Sequence, residues 1–143
     1  MSHQDLHDRD FYGWTQAMAR ALRNGTVAAA DMQHIADEVE DMGNSERRAL
    51  ASRLQVLLMH LLKWHYQPQH RSRSWRLTVE LQRVEIERLL RDNPSLRREV
   101  PPLLPDVYPA ARLAALAETG LADEALPEAC PFTIEALHAA LEP

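Results

Sequence analysis

The stretch from 45 to 66 leaves the chain the least freedom. Leu50, Leu54, Leu57, Leu58, Leu61 and Leu62 follow one another at steps of 4, 3, 1, 3 and 1. That rhythm belongs to a helix with a wide apolar stripe, and not to a strand, whose faces alternate at every second residue. Such a stripe has to be covered by other helices, which commits the chain to an all-α fold. Composition agrees. Of 143 residues only four are Gly, 45% are apolar and 26% are charged, close to the averages of globular domains. Ala and Leu abound, and both lose little freedom in a helix.

Punctuation places the other helices. One is expected over 11–24, capped by Asp8 or Asp10 and stopped by Gly25, with Phe11, Trp14, Thr15, Met18, Ala21 and Leu22 on one face. A second is expected over 31–42, capped by Asp31, stopped by Gly43, and burying Met32, Ile35, Ala36, Val39 and Met42. The leucine-striped helix follows, and Pro68 closes it. A fourth, over 74–91, gathers Trp75, Val79, Ile86, Leu89 and Leu90 and ends at Asn93 and Pro94. Eight of the nine prolines lie beyond residue 92. Pro101, Pro102, Pro105 and Pro109 are expected to kink or split any helix there, leaving short helices near 95–99 and 105–119, the latter stopped by Gly120. A last short helix is expected after Thr133, which can cap it. The architecture is read as one all-α domain over 1–143: an antiparallel helical bundle of about four main helices with a proline-broken C-terminal segment.

The segment EVEDMGNSERRALASRLQVLLMHLLKWHYQP (residues 38–68) continues into RSRSWRLTVELQR (71–83). With the opening DFYGW (10–14) and the late ETGL and CPFT stretches, it resembles the domain-of-unknown-function-29 family over nearly the whole chain. The resemblance implies a helical protein of bacterial, often cyanobacterial, type. It brings no activity, cofactor or catalytic residue to carry over. Prolines 101 to 105 depart from it, since they fall where it implies a smoother helix.

Several function classes drop out. Cys130 is the sole cysteine, so no internal disulfide forms and the chain suits a reducing compartment. The opening MSHQDLHDRD lacks the apolar centre of a signal peptide, and no window approaches eighteen apolar residues. A cytoplasmic location away from membranes is expected. Cys130 has no nucleophile signature around it, and neither a Gly-x-Ser-x-Gly nor a phosphate-cradling Gly loop occurs.

Charge is unevenly placed. Residues 47–79 contain no acid and carry +7, from Arg47, Arg48, Arg53, Lys63, Arg71, Arg73 and Arg76, while the whole chain is −5. Within this stretch Lys63, Arg71, Arg73 and Arg76 alternate with Trp64, Tyr66 and Trp75. Basic groups attract phosphates and aromatics stack on bases, which is the chemistry of a nucleic-acid or phosphate surface. The plainer reading is that Asp31, Asp37, Glu38, Glu40 and Asp41 neutralise the stretch from an antiparallel neighbour, within one chain or across a dimer, with the tryptophans in the core.

Glu38, Glu40, His60 and Gln82 fall within or beside apolar stripes. A buried polar group without a partner costs about 1–3 kcal/mol, so these residues are expected to meet in a hydrogen-bonded network. As a site they give weak catalytic candidates in Glu38, Glu40 and His60. As metal ligands they give His34, Glu38 and His60, with His34 and Glu38 four residues apart on one helix. The paired Glu-x-x-His motifs of di-iron bundles are missing, Glu135 to His138 being the sole such tetrad, and no cofactor is expected. The leading expectation is a non-enzymatic helical module that binds protein partners or itself. Nucleic-acid or phosphate binding through 47–79 and a metal-dependent enzyme are the alternatives.

Overall fold

The computed structural model describes residues 2–138, and among them there is no strand. Six α-helices follow in order: α1 (His3–Arg9), α2 (Phe11–Asn24), α3 (Ala29–Tyr66), α4 (Arg73–Asp92), α5 (Val100–Thr119) and α6 (Ile134–His138). The chain divides into two compact units, residues 1–45 and 46–143. No helix of the described residues is long and apolar enough to cross a membrane.

The helices expected at 31–42 and 45–66 are one helix, α3, 38 residues long. Gly43 does not stop it. A glycine ends a helix by turning into the left-handed region, and among the described residues Gly25 and Gly120 are the ones with positive φ. A helical glycine costs about 1 kcal/mol relative to Ala, too little to break a helix with good formers on both sides. The acids of 31–42 and the bases Arg47, Arg48, Arg53 and Lys63 thus belong to one helix and not to two successive ones. Nor is the apolar stripe of 31–42 buried, since Met32, Val39 and Met42 are 55%, 62% and 71% exposed.

In the first unit Ser2 opens α1 with a capping box, its hydroxyl accepting from the Asp5 backbone N–H while the Asp5 carboxylate accepts from that of Ser2. Asp10 then caps α2 by accepting from the Gly13 N–H at 2.9 Å. Gly13 leaves room for that approach, since a Cβ there would lie 2.5 Å from an Asp10 oxygen and the carboxylate would have to shift. Trp14 and Met18, on the inner face of α2, are the buried side chains of this helix.

In the second unit all six leucines of the stripe are buried, against Val79, Ile86 and Leu90 of α4 and Leu103, Leu104, Tyr108 and Ala111 of α5. Polar contacts fix the directions. Lys63 lies over Trp75 while Arg53 reaches Gln82 and Glu85, so α3 and α4 are antiparallel. Arg47 pairs with Glu99 and Lys63 with Glu118, so this part of α3 is parallel to α5.

The prolines do not split α5. Pro101 and Pro102 stand in its first turn, where N–H groups have no helical acceptor in any case. Pro105 and Pro109 are interior but face solvent, while Leu103, Leu104, Val107, Tyr108 and Ala111 form the opposite, buried face. Each interior proline costs about 3 kcal/mol, a sum that the burial of those side chains offsets at about 1.5–3 kcal/mol for each large one. The short helix expected near 95–99 is a 3-10 turn, Pro94–Glu99. Thr133 caps α6 as expected, accepting from the Ala136 N–H.

Because a Cβ at Gly43 would meet nothing within 4 Å, Gly43→Ala is expected to stabilise the protein by about 0.5–1 kcal/mol in urea denaturation. A loss of stability would mean that the helix is broken at this position.

Candidate functional site

The basic stretch is largely occupied by the protein's own groups. Lys63 is buried at 6% exposure. Its ammonium donates to the Glu118 carboxylate and lies 4.7 Å from the Trp75 ring centre. That hydrogen bond holds the Glu118 carboxyl below its ordinary range. Arg71 stacks 4.7 Å above Trp64 and donates from Nε to the Trp64 carbonyl at 2.9 Å. Arg76 pairs with Glu80 one turn on, Arg47 with Glu99 and Arg53 with Glu85, while Arg73 is exposed. The acids facing the stretch thus come from α4, α5 and the turn between them. Trp64 is buried, and both tryptophans present a ring face to a cation of this chain.

Glu38, His60 and Gln82 each take a partner within their own unit. Gln82 accepts from Arg53 at 3.3 Å. His60 donates from Nδ1 to the Val56 carbonyl one turn earlier, at 3.0 Å, and burial pushes its pKa down, favouring the neutral ring. Glu38 bonds to His7, Glu40 is exposed and His34 is half-buried. Among the described residues no group of three or more His, Cys, Asp or Glu side chains is placed to hold a metal ion. Cys130 is half-buried with its Sγ 3.6 Å from the Phe132 carbonyl, and burial pushes its thiol pKa up, away from the nucleophilic thiolate.

The surface that stands out was not read from the sequence, because α1 was not. His3 Nδ1 lies 2.6 Å from the Asp31 carboxylate, and His7 Nε2 meets Glu38. The two histidines tie α1 to the start of α3. The His7 ring also stands edge-on to Phe11 and Trp14, at 5.2 and 4.7 Å between centres. The readable signal was Ser2-x-x-Asp5, a capping-box spacing in a segment that polarity alone marks as a tail.

Beside this corner α2 and α3 leave an open groove of about 300 Å³. Phe11, Trp14, Met18 and Leu22 form one wall, and Ile35, Val39 and Met42 the other. Phe11 and Leu22 are 50% and 51% exposed, so with Val39 and Met42 the apolar surface remains open on both walls. Among the described residues the buried Trp14 indole N–H finds no acceptor. Thr15 and Glu38 are the polar part of its lining, and the Glu38 carboxylate is held by His7. The rest of its surface is apolar on both walls.

The chain belongs to the family described as Domain of unknown function DUF29, which residues 6–140 match, as the central motif implied. No curated protein and no solved structure matches it.

His7 has its pKa raised above 6.5, chiefly by the hydrogen bond to Glu38. Its contribution is therefore complete below the unfolded value and is lost as pH rises through the folded one. The gap in melting temperature between the wild type and Glu38→Gln should be widest near pH 6 and should shrink toward about pH 9. A gap that does not change with pH would remove the imidazolium from the account. Trp14→Ala should cost about 3–5 kcal/mol in chemical denaturation, and Trp14→Phe far less, since Phe keeps a buried ring and discards an unsatisfied donor. Equal losses would show that the indole N–H is in fact bonded.

Proposed function

We propose that this member of the family is a non-enzymatic, helical protein-interaction module whose groove between α2 and α3 receives an amphipathic helix. The observation that carries the reading is the exposure of Phe11, Leu22, Val39 and Met42 around one continuous groove. Scattered apolar residues are ordinary on protein surfaces, whereas contiguous ones mark places where something binds. Helix-in-groove recognition needs apolar anchors on the guest and two apolar walls on the host, and those walls are supplied here.

The alternatives fit the same groups less well. A phosphate bound at Lys63, Arg71 or Arg76 would have to displace Glu118, Trp64 or Glu80 from cations already engaged. A metal enzyme built on His34, Glu38, Glu40 and His60 would have to draw Glu38 away from His7, and among the described residues no three such side chains converge.

A photo-crosslinking residue at Met42 tests the reading inside cells. Illumination should yield an adduct with another polypeptide, while the same residue at the exposed Gln16, off the groove, should yield none. No adduct from position 42, or equal adducts from both positions, would overturn the proposal.

A further inference from the structure

The second unit carries a surface that matches this groove. On α4, Leu77, Leu81 and Val84 are 39%, 54% and 62% exposed. They continue at helical spacing into Arg88 and Arg91, and Arg73 precedes them by one turn, all three arginines being exposed. The face of α4 that the core requires is a different one, occupied by Val79, Ile86 and Leu90. The exposed stripe is thus surplus to the folding of its own unit, and among the described residues its three arginines make no ion pair. It is the apolar, basic face of an amphipathic helix.

The groove lies in an acidic setting. Residues 1–45 hold eight acids and three bases, so they carry the full −5 of the chain, and residues 46–143 sum to zero. Two grooves placed face to face would oppose −5 with −5. Groove against stripe sets the acidic unit opposite unpaired arginines. The lengths also agree. From Phe11 to Leu22 the α2 wall runs about 17 Å, the apolar part of the stripe from Leu77 to Val84 about 10 Å, and the stripe with its arginines about 27 Å, at 1.5 Å per helical residue. The leucines fit within the groove and the arginines overhang its rim.

We propose that the groove of one copy receives the Leu77, Leu81 and Val84 face of α4 from a second copy. The proposal rests on the groove reading above and names its occupant. The two surfaces are different, so the contact is heterologous. Each bound pair retains one open groove and one open stripe, and assembly proceeds to a ring or a filament.

Light scattering on the full-length chain with two exposed-site variants tests this. Val39→Glu disables the groove and leaves the stripe, and Leu81→Glu does the reverse. The wild type should form oligomers as concentration rises. Each variant alone should remain a monomer, with association weakened roughly tenfold or more. Their equimolar mixture should give a one-to-one dimer and nothing larger. If Leu81→Glu still associates while Val39→Glu does not, the grooves pair with each other and α4 is not the guest. A monomeric wild type overturns the proposal, and an adduct from position 42 with a different protein would then leave the groove reading standing. Unchanged helical circular dichroism verifies that both variants fold. Should either fail, Arg88→Glu with Arg91→Glu replaces it and should weaken association most at low salt. An unaltered affinity in that double variant counts against the assigned face.

Discussion

Burial of the leucine stripe of α3 is the interaction on which the second unit depends. Leu50, Leu54, Leu58, Leu61 and Leu62 are at most 1% exposed, and each large aliphatic side chain so buried contributes about 1.5–3 kcal/mol relative to exposure. The stripe is the surface that α4 and α5 both cover. It draws α4 in antiparallel and α5 in parallel, and it holds α5 helical through two interior prolines. The loop beyond α5 is fastened to the same core. Tyr108 donates to the Pro127 carbonyl at 2.6 Å, and Arg112 donates to the carbonyls of Asp123, Leu126 and Pro127.

The first unit is built on a smaller scale. Trp14 and Met18 are its buried anchors, and capping groups with two histidine–carboxylate contacts supply much of the remaining order. Side chains that the periodicity of α3 would place in a core stay in solvent here. The charge distribution follows the same division, since the second unit holds as many acids as bases while the acids of the first outnumber its bases.

What the sequence made legible follows from how local each cause is. The wide leucine stripe, Asp10 as a cap, Gly25 and Gly120 as stops and Thr133 as the last cap all express short-range rules, and all appear where those rules put them. Local rules mislead at Gly43 and at the prolines of α5 because the outcome there depends on neighbours distant in sequence. A helical glycine is only mildly unfavourable, and a proline ring directed at solvent loses a hydrogen bond without disturbing the packed face. The site was less legible than the fold. Glu38 and His60 were read as polar groups requiring partners, and they do have them. The partners, His7 and the Val56 carbonyl, are a side chain in an unread helix and a backbone atom without a sequence signature. The groove was hidden by the assumption that an apolar stripe is a buried one.

The outward prolines of α5 also bear on the order in which the chain is made. With Pro at 101, 102, 105 and 109, this segment has little capacity to become helical alone, for an isolated helix relies on an unbroken ladder of backbone bonds. It becomes a helix against a surface already present. During synthesis α3 and α4 emerge first and can pair as a hairpin, with the rest of the leucine stripe still uncovered. α5 is then shaped on that template, so the middle of the chain acts as a mould for the segment that follows it.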